Sequence, residues 1–227
     1  MIDGEYMNIN SILNKSFNEL TPDECVAINN YLLDRMLIEL QKKDRSGIYG
    51  ITQREFAYNS NRIEGSRLSK EQTASLFNTG TIMSDGEIYR ANGYPIGEYK
   101  NRQNVVWDID TVKPNQVHEK MSELLETYHN SEKCLTDITQ LHVEYEKIHP
   151  FQDGNGRTGR MIIFRECLKN GIIPFVICDE NKDQYTHLLN AAQKTGEFSA
   201  LAGYFEEEAC KYYEILQEFL RVYENKE

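Results

Sequence analysis

Between His149 and Arg160 the chain packs an imidazole, a carboxylate, an amide, two guanidiniums and the glycines Gly154 and Gly156 into one short stretch. Asp153-Gly154 and Asn155-Gly156 are turn dipeptides, yet both flanks carry helical rather than strand periodicity, which disfavours a hairpin. A calcium loop needs a bidentate glutamate eleven residues beyond Asp153, where Phe164 stands instead. A Walker loop fails for want of a following Gly-Lys-Ser/Thr. What fits is an anion site. Gly154 and Gly156 let backbone N–H groups approach a phosphate, and the start of the next helix adds partial positive charge. Arg157 and Arg160, three apart, share a helix face and can both grip a polyphosphate. Asp153 can hold a magnesium ion that bridges phosphates. His149, fixed at a helix end by Pro150 and backed by Phe151, can take a proton from a hydroxyl near neutral pH.

A second place of interest is Ser60-Asn61-Arg62-Ile63-Glu64-Gly65. Ser60 and Glu64 lie four apart on one helix face, and Glu64 falls in the last turn, where the helix dipole is negative. An unpaired carboxylate there costs roughly 0.3–1 kcal/mol, so it would gain from a cation.

The elements that must position these groups read as helices. Thr21, Pro22 and Glu24 form a capping box with proline at the first position, followed at helical spacing by Cys25, Ile28, Leu32, Leu33, Met36, Leu37 and Leu40. A second helix is predicted from about Thr52 to Glu64, stopping at Gly65, and a third begins at Ser69. Gly93, Pro95 and Gly97 break helices and Val105, Val106 and Trp107 favour a strand, which predicts a short hairpin between Gly93 and Asp108. Helices follow over Asn115 to His129 and Leu135 to His149, the latter burying Leu135, Ile138, Leu141, Tyr145 and Ile148. Arg157 to Lys169 is read as a helix with Met161, Ile162 and Leu168 inward and Gly171 ending it. Two more, Lys182 to Lys194 and Phe198 to Tyr223, are separated by Gly196. His142 reads as a core histidine, "GIIPFVICDE" as core filling, and Glu206 to Glu208 as a solvated face. The expected architecture is mainly α, with one hairpin.

The 227 residues suffice for a full core, and the formal charge of -11 argues against sequence-independent nucleic-acid binding. Five scattered cysteines without zinc spacing suit a reducing compartment, so a cytoplasmic protein is expected. Neither a signal peptide nor a run long enough to span a membrane is evident.

The stretch "IHPFQDGNGRTGR" resembles the signature of the Fic family, His-x-Phe-x-Asp/Glu-Gly-Asn-Gly-Arg-x-x-Arg, at every fixed position. The likeness runs from about Tyr89 to Tyr223 and includes "LNAAQKTGEFSALAGYF". It implies a helical bundle with a β-hairpin flap and an N-terminal helical extension: residues 1–86 would carry an inhibitory helix at about 52–65, and 87–227 the catalytic core. The implied activity is transfer of AMP from Mg-ATP (Mn2+ being an alternative) to a Ser, Thr or Tyr hydroxyl of a protein, including the chain itself. His149 would be the base, Asp153 the metal ligand, Gly154, Asn155 and Gly156 the phosphate cradle, and Arg157 and Arg160 the clamp on the β- and γ-phosphates. The segment from Ser60 to Gly65 resembles the family's inhibitory motif, whose glutamate, here Glu64, pairs with the second signature arginine, here Arg160. The flap would hold a target segment by strand pairing, with Tyr99, Lys100, Asn101 and Arg102 as contacts. Family members often self-associate, so a homodimer is an allowed expectation.

Other readings stay open at this level. They are removal of AMP by the same site, transfer of UMP, GMP or phosphocholine, and a non-catalytic nucleotide-sensing or toxin-antitoxin module. A kinase-like branch carries a lysine-containing variant in place of the second glycine, and Gly156 does not fit it.

Overall fold

A computed structural model describes residues 9–79, 95, 97–106 and 109–224. The domain boundary expected at 86/87, the hairpin start at Gly93 and the residues Trp107 and Asp108 lie outside them. The described chain is mainly helical, with one two-stranded antiparallel pair.

A short helix α1 (Ile9–Ile12) precedes α2 (Pro22–Lys42). The capping box forms: Thr21 N–H donates to Glu24 Oε2 at 3.0 Å, and Glu24 N–H to Thr21 Oγ1 at 3.3 Å. Only part of the expected apolar stripe is inside. Ile28, Leu32 and Met36 are buried, whereas Leu33, Leu37 and Leu40 stay exposed, because the stripe is wider than the face that meets the core. Glu39 fills the inner line instead, accepting from Arg35 Nε at 2.9 Å and from the backbone N–H of Tyr49 at 2.8 Å.

That carboxylate explains where α3 (Ile48–Ile63) begins, four residues before the expected Thr52. A negative group at the first turn stabilises helix N–H groups that no side chain at Gly47 can cap. Gly47 is itself required, since a β-carbon there would collide with Glu39. The helix ends as expected, with Gly65 left-handed at φ 95°. Ser69 starts α4 (Lys70–Thr79), its hydroxyl accepting from Gln72 N–H at 3.2 Å.

The hairpin lies later than expected. Strand β1 (Val105–Val106) pairs with β2 (Ile109–Asp110), Val106 opposite Ile109. The preceding residues are tied to another part of the chain: Lys100 N–H donates to Pro150 C=O at 2.8 Å, and Asn104 Nδ2 to Phe151 C=O at 3.1 Å.

Helix α5 (Val117–His129) follows a 3-10 turn over Pro114–Gln116, and α6 is Leu135–Ile148. In α6, Ile138, Leu141, Tyr145 and Ile148 are buried as their spacing predicted, with Leu135 partly so. Helix α7 is Asn155–Lys169. Met161 points outward, 60% exposed, while Ile163 and Cys167 take the inner positions. The inner line of this helix is set by Gly159 and Arg160, and the same line recurs at Ile163 and Cys167, which leaves Met161 one step off it. The stretch from Ile173 to Ile177 is core, as expected.

Helices α8 (Lys182–Thr195) and α9 (Ser199–Glu224) complete the fold. Glu208 corrects the reading of a solvated acidic face. It is 1% exposed, and its carboxylate accepts from Cys178 N–H, Asn181 Nδ2 and Lys211 Nζ. Only Glu206 and Glu207 face solvent. One apolar cluster joins Ile12, Ile28 and Ile48 from the first helices to Ile138, Ile163, Phe175, Tyr213 and Leu216. The N-terminal helices and the motif helices α6 and α7 therefore share a core, and α3 is held against α7.

Candidate active site

The junction between α6 and α7 is fixed by its own side chains. His149 leaves α6 at φ 51° and ψ 62°, a left-handed conformation uncommon outside glycine. Its N–H still closes on Tyr145 C=O at 2.9 Å, so the imidazole is set at the helix end. Asn155 is 1% exposed, and its amide clasps Phe151 twice: Nδ2 donates to the carbonyl, and Oδ1 accepts from the N–H, both at 2.8 Å. The amide of Asn155 thus shapes the loop. Gly154 is left-handed at φ 79°, and Asp153 Oδ1 accepts from its N–H at 2.7 Å.

Lys100 completes this scaffold. Expected as an exposed target contact, it is 3% exposed, and its ammonium donates to Ile148 C=O, Asn104 Oδ1 and Thr111 Oγ1 at 3.1, 2.8 and 2.8 Å. A cation on the last carbonyl of α6 complements the helix dipole immediately before His149. Burial lowers its pKa to about 8. Tyr99 is likewise turned toward Phe151, with ring centroids 5.9 Å apart, while Asn101 and Arg102 remain exposed.

Arg160, 4% exposed, reaches from α7 to α3. Its Nη2 donates to Glu64 Oε1 at 2.7 Å and to Ser60 C=O at 3.1 Å, and Nε donates to Ser60 Oγ at 2.9 Å. Burial works against its charge, but Tyr185, Glu64 and Glu146 outweigh that and raise its pKa. Ser60 and Glu64, four apart in sequence, therefore hold one guanidinium together. The Glu64 carboxylate also lies where a β-carbon on Gly156 would stand, in the first turn of α7. An internal anion sits at the helix start that the sequence marked for phosphate.

Asp153 and Arg157 form the outer side of the site, with Arg157 Nη2 3.6 Å from Asp153 Oδ2 and the carboxylate 55% exposed. They line a cleft of about 480 Å3 with Gly97, Phe151, Thr158 and Met161. A second cavity, about 310 Å3, opens behind the motif between Val106, Glu146, Thr186, Leu189, Asn190 and Gln193. Glu146 and His142 went unread as parts of the site. Glu146 is 6% exposed with Oε2 3.6 Å from His149 Nδ1, and His142 is 1% exposed with Nε2 2.8 Å from Tyr185 Oη. The placement of His142 agrees with the core role expected of it. Glu146 could have been noticed from its spacing, three residues before His149 on the same helix.

Residues 79–166 match the Fic/DOC family model. That match includes the loop from His149 to Arg160. The chain is 27% identical over 132 residues to protein adenylyltransferase fic-1 of Caenorhabditis elegans, a match covering 56% of the chain and 26% of that protein. Over 53 residues it is 38% identical to protein adenylyltransferase Fic of Drosophila mojavensis, covering 23% of the chain and 11% of that protein. The chain thus matches about a quarter or less of the length of these curated relatives. Among solved structures, a Fic domain containing signaling protein from Bacteroides thetaiotaomicron aligns over 94% of both chains with TM-score 0.55 and 21% identity. Fic-1 of C. elegans aligns over 91% of this chain and 74% of its own with TM-score 0.59 and 17% identity. These likenesses establish the helical Fic fold. No described helix is long and apolar enough to cross a membrane.

Proposed function

We propose that the chain transfers AMP from ATP to a hydroxyl of a protein and that Glu64 restrains it. The observation that carries this reading is the Glu64 carboxylate bound to Arg160 over Gly156. A carboxylate held at a glycine-lined helix start by a buried arginine marks a site built for an anion. His149 lies at the mouth of the same loop as the proton acceptor.

In the proposed reaction the target hydroxyl gives its proton to His149, its oxygen bonds to the α-phosphorus, and the bond to the β-phosphate oxygen breaks to release pyrophosphate. Arg157 and Arg160 hold the leaving phosphates, with the backbone of Gly154, Asn155 and Gly156 around them. The cavity beside Glu146 suits the base, with Val106 and Leu189 as apolar walls and the amides of Asn190 and Gln193 as polar groups. Asp153 fits a magnesium ion, since one exposed carboxylate at the cleft mouth is what that ion takes when phosphates and water supply the rest. Such an ion would neutralise phosphate charge.

The restraint is competition for Arg160. While Glu64 holds the guanidinium, the γ-phosphate lacks its clamp and the α-phosphate is not set in line. A second reading has the same support: Glu64, half-exposed beside the cradle, can orient water to remove AMP from a modified hydroxyl.

Intact mass of wild-type and Glu64→Gly protein after incubation with ATP and magnesium tests the proposal. The expected result is added AMP on the chain itself or on a target, more in the variant, and none when His149 is replaced by Ala. If AMP is added equally with and without His149, or never added by Glu64→Gly, the transfer reading fails.

A further inference from the structure

Glu146 has no role in the family signature, yet the fold brings it to the back of the imidazole. It precedes His149 by three residues, so both side chains leave the same face of α6. His149 Nδ1 is buried and has no hydrogen-bond partner among the described residues, and the same holds for Glu146 Oε1. A buried polar atom without a partner is costly, so an inward-facing Nδ1 calls for an acceptor. Glu146 Oε2, at 3.6 Å, is in ion-pair range of it. That separation is longer than a hydrogen bond, and catalytic pairs commonly tighten when substrate binds.

Glycine on the facing helix makes the arrangement possible. A β-carbon at Gly159 would collide with Glu146 Oε1 and come within 3.2 Å of His142 Nδ1. Gly159 occupies a variable position of the signature, between Arg157 and Arg160, so phosphate binding does not account for it. The groups that face Glu146 are His142 and His149 from its own helix and Arg160 from α7, with Tyr185 of α8 beyond His142. Burial pushes the Glu146 carboxyl up, but His149, His142 and Arg160 together bring it below the usual carboxylate range, so it stands charged beside the imidazole.

We propose that Glu146 is the positioning residue for His149. Its carboxylate receives the Nδ1–H, which turns the Nε2 lone pair toward the acceptor hydroxyl. When Nε2 takes the hydroxyl proton, the resulting imidazolium faces a negative charge rather than an apolar wall. The same carboxylate lies near Arg160, so the base and the phosphate clamp share one buried anion. The inference rests on the transfer reading above, and it concerns how the base is held.

The test uses the Glu64→Gly protein with and without Glu146→Gln, an isosteric change that removes the charge. Expected are a fall of about tenfold or more in kcat with little change in the KM for ATP, and an acidic limb of the kcat profile shifted to lower pH. Glu146→Asp should recover part of the rate. Nitrogen NMR of His149 in the parent protein should show Nδ1–H as the main neutral tautomer. A variant that loses stability while keeping its pH profile, or a parent His149 found chiefly as the Nε2–H tautomer, would overturn the proposal. The tautomer is read without any turnover. An inactive parent protein would therefore count against AMP transfer, while the NMR result still decides for or against Glu146.

Discussion

Glu64 and Arg160 meet at 2.7 Å between two helices, α3 and the helix α7 that follows the loop from His149 to Gly154. The guanidinium is buried and the carboxylate is half-exposed, 4% against 46%. Water therefore screens the pair from one side only, and Ser60 supplies two further acceptors on the dry side. The arginine is occupied by these partners, and the carboxylate side of the contact is open to water.

Breaking this contact should raise AMP transfer in a graded way. A bridge worth roughly 1.4–2.7 kcal/mol corresponds to a gain of about ten- to a hundredfold for Glu64→Gly. Ser60→Ala removes one hydrogen bond, roughly 0.5–1.5 kcal/mol, and should give a smaller gain. Initial rates with labelled ATP would order the three proteins, and a Ser60→Ala rate above that of Glu64→Gly would contradict the scheme.

Asn155→Ala should weaken both fold and activity. It leaves the Phe151 N–H without its acceptor and the Phe151 C=O with Asn104 Nδ2 as its remaining donor, a loss of about 1–3 kcal/mol. Thermal unfolding would report the loss. Transfer should fall even when Glu64 is replaced, because the loop that presents His149 is no longer closed.

Lys100→Met should act at a distance from any target. The substitution keeps most of the apolar stem but leaves Ile148 C=O, Asn104 and Thr111 without their shared donor. Lower stability together with a lower kcat is expected. A pure target-affinity defect, seen only as a raised KM for protein substrate, would speak against this role.

Stability should fall as acid is added between about pH 6.5 and 4. Burial is the main reason that His142 is lowered from 6.5 to about 4 in the folded protein. Over that interval the unfolded chain binds a proton that folded His142 refuses, so protonation favours unfolding. The full shift corresponds to roughly 3 kcal/mol. Glu146, whose pKa is also lowered, adds a change of the same sign. Denaturant unfolding at several pH values should show a shallower slope for His142→Gln.

The signature and the inhibitory segment were readable because each depends on short spacings: His149 to Arg160 in one loop and helix, Ser60 and Glu64 one turn apart. Helix ends carried by local chemistry, such as Thr21-Pro22-Glu24 and Gly65, were readable for the same reason. What escaped depends on contacts between distant segments. The start of α3 is set by Glu39 from the preceding helix, and Lys100 is buried by the carbonyls of Ile148 and Pro150. Glu208 is drawn inward by Cys178, Asn181 and Lys211. Each is a charged residue whose type suggests solvent and whose partners appear only once the chain is folded. Met161 failed for a simpler reason: helical spacing gave the period of α7 but not which line of it faces the core.

The anion at Gly156 is tethered to the same chain, which gives it a fixed local concentration that dilution cannot lower. On the proposed restraint, a nucleotide competing for Arg160 would meet the same local concentration at every protein level, so the degree of restraint would not change on dilution of the protein.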